Sequence, residues 1–154
     1  MKERTIRRLA ISLIAFAFCA LAFPLASSSQ LASAHAKKLP VTLKLQKKLR
    51  SVFVANHPDK KAAEITGPIK GTVRYGRYGA REYAIAIFSI PYFFTQGQPE
   101  VFSRAVGGRW VDRGEGGGSV CSDMVPLPLL KAWKLRLTGS WSRTGGSTTY
   151  QCFD

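Results

Sequence analysis

Histidine and cysteine are scarce in this chain, two of one and three of the other among 154 residues. No group of His, Cys and Asp sits at metal-ligand spacing, so the pattern predicts neither metal nor cofactor. Acidic residues are also few, 9 against 23 Lys and Arg, which gives a formal charge of +14. That shortage narrows catalysis. His57 is the one histidine expected inside the folded region, and His57-Pro58-Asp59 reads as a turn ending a helix, because the residue before proline avoids helical backbone. There is no Gly-x-Ser-x-Gly elbow, although Ser119 and Ser122 flank a glycine-rich run. That run, Gly114–Ser119, lacks the Lys-Ser/Thr of a phosphate-binding loop. Glu82, Glu100, Asp112, Glu115 and Asp123 are the carboxylates from which a glycosidase pair could be drawn. They are scattered, so a weak hydrolase is the last of three readings and the chain is expected to be non-enzymatic. Heptad, collagen and internal repeats are missing too, and a hydrophobic fraction of 45% excludes a disordered chain.

What is present begins with an address. Lys2, Arg4, Arg7 and Arg8 precede a nearly unbroken apolar run from Leu9 to Ala26, followed by Ser27-Ser28-Ser29. Charged end, apolar middle and small-residue exit predict a secretory signal peptide over residues 1–34, cut after Ala32-Ser33-Ala34. Ala34-His35-Ala36 is the neighbouring alternative, and Pro24 with the serines favours cleavage over retention as an anchor. Cys19 follows the bulky Phe18 inside the apolar run, which excludes lipid attachment. A secreted chain starting at His35 keeps 19 basic and 8 acidic residues, a charge of +11 on 120 residues. It also keeps two cysteines, Cys121 and Cys152, which in an oxidising compartment read as one disulfide.

Residues 35–40 read as a disordered basic tether, and 41–154 as a single α+β domain. Val41, Leu45, Leu49, Val52 and Phe53 fall at helical spacing, so an amphipathic helix is expected up to Asn56. Asp59–Ile65 suggests a second short helix capped by Asp59. The period then changes from helical to two. Gly71–Tyr78 and Arg81–Ile90 read as a hairpin about Gly79-Ala80, and Glu100–Val106 with Arg109–Arg113 as another about Gly107-Gly108. In the second strand Tyr83, Ile85 and Ile87 face one way and Ala84, Ala86, Phe88 and Ile90 the other. Pro126–Leu135 gives a short later helix, and Ser140–Asp154 a closing hairpin or tail held by Cys152. The expected architecture is an N-terminal helix on an antiparallel β-meander, with one sheet face open to solvent.

Charge points to the partner. A net +11 attracts anionic surfaces, and outside a cell these are envelope polymers, lipid headgroups and acidic polysaccharides; nucleic acid is not the expected partner. Lys44, Lys47 and Arg50 lie off the apolar stripe of the helix, with Lys48 at its margin. The first hairpin interleaves Arg74, Arg77 and Arg81 with Tyr75, Tyr78 and Tyr83. Arginine beside an aromatic ring can hold a phosphate or carboxylate while the ring stacks on a sugar. The predicted function is therefore that of a monomeric binding module for an anionic polymer or envelope surface. The alternative is a protein-interaction or inhibitor-like domain using Tyr92–Phe94 and Trp141, whereas Trp110 and Trp133 are assigned to the core.

The runs Ala55-Asn56-His57-Pro58, Gly71–Gly79 and Tyr83-Ala84-Ile85-Ala86 carry a resemblance. Gln98-Pro99-Glu100-Val101-Phe102, Gly107-Gly108-Arg109-Trp110, and Cys121 leading to Val125-Pro126 and Trp133 extend it. Over about Val41–Leu137 the chain resembles a family of uncharacterised secreted proteins from actinobacteria. These motifs are turns, core aromatics and a cysteine, so the resemblance implies secretion and fold, and no activity.

Overall fold

The computed structural model describes residues 35–90, 97–142 and 148–154. The chain divides into two units, Met1–Gln30 and Leu31–Asp154, and every described residue belongs to the second. The expected leader and the Tyr92–Phe94 loop lie outside the described residues. Among those described, no helix is long and apolar enough to cross a membrane.

The fold is α+β. Its elements run β1 (Ala36–Lys38), α1 (Leu43–Asn56), β2 (Arg74–Tyr78), β3 (Arg81–Ile87), β4 (Pro99–Ala105), β5 (Val111–Glu115), β6 (Val120–Cys121), α2 (Leu127–Ala132), β7 (Leu137–Ser142) and β8 (Thr149–Phe153). β1 to β5 form an antiparallel meander in chain order, and a second sheet has the order β6-β8-β7.

α1 starts where Thr42 accepts the Leu45 N–H on its hydroxyl at 3.2 Å, satisfying one donor the first turn leaves open. It buries Leu45, Leu49 and Phe53, spaced one helical turn apart, against the sheet face carrying Ala84, Ala86, Phe88, Phe102 and Trp110. Each such side chain contributes about 1.5–3 kcal/mol of transfer free energy. Ala84 and Ala86 leave room for the helix, and Phe53 stacks on Phe88 with ring centroids 4.3 Å apart.

Three expectations are corrected. The helix is not the first element, because Ala36–Lys38 of the supposed tether forms β1. Lys37 pairs with Arg77, and the Leu39 N–H donates to the Tyr75 carbonyl at 2.9 Å. Without β1, β2 would leave a row of backbone groups unpaired. Asp59–Ile65 forms turns instead of a helix. So short a segment nucleates poorly, and the Arg50 guanidinium takes the carbonyls of Ala62 and Ile65. Finally, neither face of the meander is open. Ile85 and Val101 pack on the far side with Val120, Val125, Leu129, Leu130, Trp133 and Phe153.

That second layer comes from α2 and the smaller sheet. Trp133 donates its indole N–H to the Tyr75 carbonyl at 3.1 Å. A Cβ at Gly76 would stand 2.6 Å from Leu129 Cδ1 and 2.8 Å from the Lys37 carbonyl oxygen, so only glycine admits α2 here. Cys121 and Cys152 form the disulfide, and they are direct cross-strand partners between β6 and β8. The tail is thus a strand pair, β7–β8, clamped to β6. Both hairpins appear as expected, with Trp110 and Trp133 buried and Trp141 70% exposed.

Candidate functional site

The pleat decides which hairpin residues can meet. β2 and β3 pair Arg77 with Glu82 and Tyr75 with Ala84, while β3 and β4 pair Glu82 with Arg104. Tyr75, Arg77, Glu82 and Arg104 therefore share the face covered by α1, because alternate strand residues point to opposite sides. Each Glu82 oxygen receives its own arginine. Arg77 Nη2 donates to Oε1 at 2.8 Å and Arg104 Nε to Oε2 at 2.6 Å. The Arg104 guanidinium lies 4.6 Å from the Trp110 ring centroid, and Trp110 meets Tyr75 edge-on at 5.9 Å.

Burial alone would raise the Glu82 pKa, but hydrogen bonds from Arg77, Arg104 and Tyr75 outweigh it and hold the carboxyl below its ordinary value. Glu82 is accordingly a fixed anion. Its role is to orient two guanidinium groups that would otherwise have several rotamers.

Between this patch and the first turns of α1 runs a groove of about 430 Å³, bordered by Lys44, Lys48, Arg77, Arg104, Tyr75 and Trp110. Four cations face one carboxylate there. The first turn of α1 holds no acidic residue, so the positive end of the helix dipole adds to the field. Arg77 commits Nη2 to Glu82, and its Nε is buried with no hydrogen-bond partner among the described residues. A planar guanidinium carries five N–H donors, so one held by Glu82 and still partly exposed suits a further carboxylate, sulfate or phosphate oxygen.

The structure divides the residues expected to bind. Lys44, Tyr75 and Arg77 line the groove. Lys47 is exposed on α1 and stands outside it. Arg50 is committed to the 62–65 turn. Arg74, Tyr78 and Arg81 fall on the opposite face, where Arg74 Nη1 donates to the Gly71 carbonyl at 2.6 Å. Arg81 lines a separate hollow with Tyr83, Ser103 and Asp123. The interleaved arginines and tyrosines are thus two sets, separated by the sheet.

Sequence reasoning offers Glu82 as a catalytic carboxylate and Trp110 as a core residue, and it misses Arg104 and the groove position of Lys48. One signal was available, since a two-residue turn at Gly79-Ala80 sets Tyr78 against Arg81 and Arg77 against Glu82. Arg104 had no such signal, because the connection between β3 and β4 is too long to fix their register. No protein-family model matches the chain, and neither a curated protein nor a solved structure matches it.

Proposed function

We propose that this protein is a secreted, non-enzymatic module that binds an anionic group of a cell-envelope or extracellular polymer in the groove beside α1. One observation carries the reading: two arginines fixed by Glu82 face Lys44 and Lys48 across a groove of about 430 Å³. Preorganised donors bind anions better than mobile ones, because less side-chain entropy is lost on binding. Secretion rests on the leader pattern and on a disulfide, which persists in oxidising compartments. The resemblance to secreted actinobacterial proteins agrees with that address. The module acts as a monomer.

The test is binding of a heparin oligosaccharide at about 50 and 500 mM salt, where screening differs severalfold. The Lys44→Ala/Lys48→Ala pair is expected to weaken low-salt binding at least about tenfold, and Lys47→Ala to leave it nearly unchanged. Equal binding by the double variant and the parent would overturn the reading.

A second reading has its own observation. Leu137 and Trp141, 53% and 70% exposed, lie on β7, the edge of the smaller sheet. An exposed aromatic on an unpaired edge suits a protein partner. Salt-insensitive binding of a protein, lost in Trp141→Ala, would favour it.

A further inference from the structure

The other end of α1 presents a different chemistry. His57 caps the helix, and β4 and β5 set Glu100 directly opposite Glu115. One ligand atom from each of His57, Glu100 and Glu115 lies within 4.8 Å of the others. Glu100 is only 3% exposed, and its Oε2 meets no hydrogen-bond donor among the described residues. A carboxylate oxygen kept from water without a partner is costly, and in native proteins such an atom calls for an explanation.

The histidine is already oriented. Its Nδ1 lies 2.9 Å from the Phe53 carbonyl oxygen, so Nδ1–H donates and Nε2 remains as the lone-pair nitrogen. Phe53 packs against the same imidazole at 4.1 Å between centroids. Metal-bound histidines are characteristically held this way, the second nitrogen tied to a carbonyl or carboxylate. Asp112 adds a third carboxylate close by. Its Oδ1 accepts the Gly114 N–H at 2.9 Å, while its buried Oδ2 has no partner among the described residues. Lys60 supplies neighbouring positive charge, one cation against three carboxylates. The negative end of the α1 dipole lies here as well, and it favours a cation.

From this geometry we propose that His57, Glu100 and Glu115 bind a first-row divalent cation of the zinc or manganese class. One imidazole with two carboxylates suits these ions, whereas calcium and magnesium prefer all-oxygen shells. Bond lengths near 2.0–2.2 Å require the donors to draw together, which the exposed Glu115 can do while Glu100 stays fixed. The site is at the opposite end of α1 from the anion groove and does not depend on it.

The test is calorimetric titration of the purified protein with ZnCl₂ and with MnCl₂, MgCl₂ and CaCl₂ serving as controls. Imidazole nitrogen resonances are followed in parallel with zinc. One equivalent of zinc or manganese is expected to bind, with the His57 Nε2 signal shifting. Glu115→Ala and His57→Gln should each weaken binding by at least about 10-fold, the least that loss of a hydrogen bond supporting a ligand costs, and His35→Ala should not. Because Glu115 is exposed, its variant decides the matter even if His57→Gln fails to fold. No uptake up to about 1 mM, uptake unchanged in Glu115→Ala, or uptake lost in His35→Ala would overturn the assignment.

Discussion

Glu82 and Glu100 make an instructive pair. Both are 3% exposed, and both lie on the α1 face of the β3–β4 ladder, toward opposite ends of it. Glu82 meets two guanidinium groups. Glu100 faces Asp112 and Glu115, with Lys60 as a partial offset. Desolvation pushes the Glu100 pKa up, the two carboxylates push it further, and it reaches about 7. Glu82 goes the other way at the same exposure, because its desolvation is outweighed by hydrogen bonds from Arg77, Arg104 and Tyr75. Partners decide whether desolvation prevails over a buried carboxylate's charge.

The signs of the two linkages oppose each other. Glu82 is more acidic folded than unfolded, so its contribution is present above its ordinary pKa of 4.5 and is lost as pH falls through the lower folded value. Glu100 holds its proton more tightly when folded. Its contribution is full below 4.5 and is lost as pH rises from there through about 7.

The largest perturbation should leave this contrast intact. Cys121 and Cys152 are separated by 31 residues, and the chain-entropy model assigns such a loop about 3–4 kcal/mol. Cys121→Ser is expected to lower the melting temperature and open the 122–151 region to proteases, while α1 stays helical by circular dichroism. Altered titration of either glutamate in that variant would show that the small sheet sets their environment.

Next in size is Glu82→Gln, which leaves Arg77 and Arg104 facing each other. Its expected destabilisation is about 3 kcal/mol, the lower end for a broken buried pair because the arginines are partly solvated. Urea denaturation at pH 7 measures it. Replacing Arg104 by Met in the same chain should recover part of the loss, and a fully additive double variant would mean that the groups act independently.

Glu100→Gln should do the reverse. At pH 8, with chelator present, the variant is expected to be about 2 kcal/mol more stable than the parent, since it no longer ionises a buried group. The fall in stability between pH 4.5 and 7 should flatten with it. A variant less stable than the parent at pH 8 would mean that Glu100 has a partner in solution.

The smallest effect is that of Lys44→Ala/Lys48→Ala. Both side chains are exposed, so the melting midpoint should move by less than about 0.5 kcal/mol equivalent. Low-salt anion binding and its salt dependence should fall while stability holds, which would separate the groove's binding role from its structural one.

Much of the fold was legible. The Leu45, Leu49, Phe53 stripe fixed the buried side of α1, and the alternation Tyr83 to Phe88 assigned the two faces of β3 correctly. Turn glycines located both hairpins. The candidate site was legible only in part. Charge density pointed to Lys44 and Arg77, yet it counted Arg50, Arg74 and Arg81 equally. What separates them is the backbone carbonyl that one arginine finds and the side of the sheet on which the others emerge.

The metal-site residues lie at positions 57, 100 and 115, a spacing that carries no signal along the chain. They meet because a helix end, a strand and its neighbour converge.

By itself the sequence determined the local choices: where helix and strand periods change, where proline and glycine stop them, and which cysteines remain to pair. Those choices depend on propensities and sterics acting over a few residues. Tertiary structure alone decided that β1 joins the sheet, that both faces are covered, and that Glu82 meets two arginines while Glu100 meets two carboxylates. These outcomes rest on register and packing between segments far apart in the chain, where the energy of a charge depends on neighbours that only folding brings close.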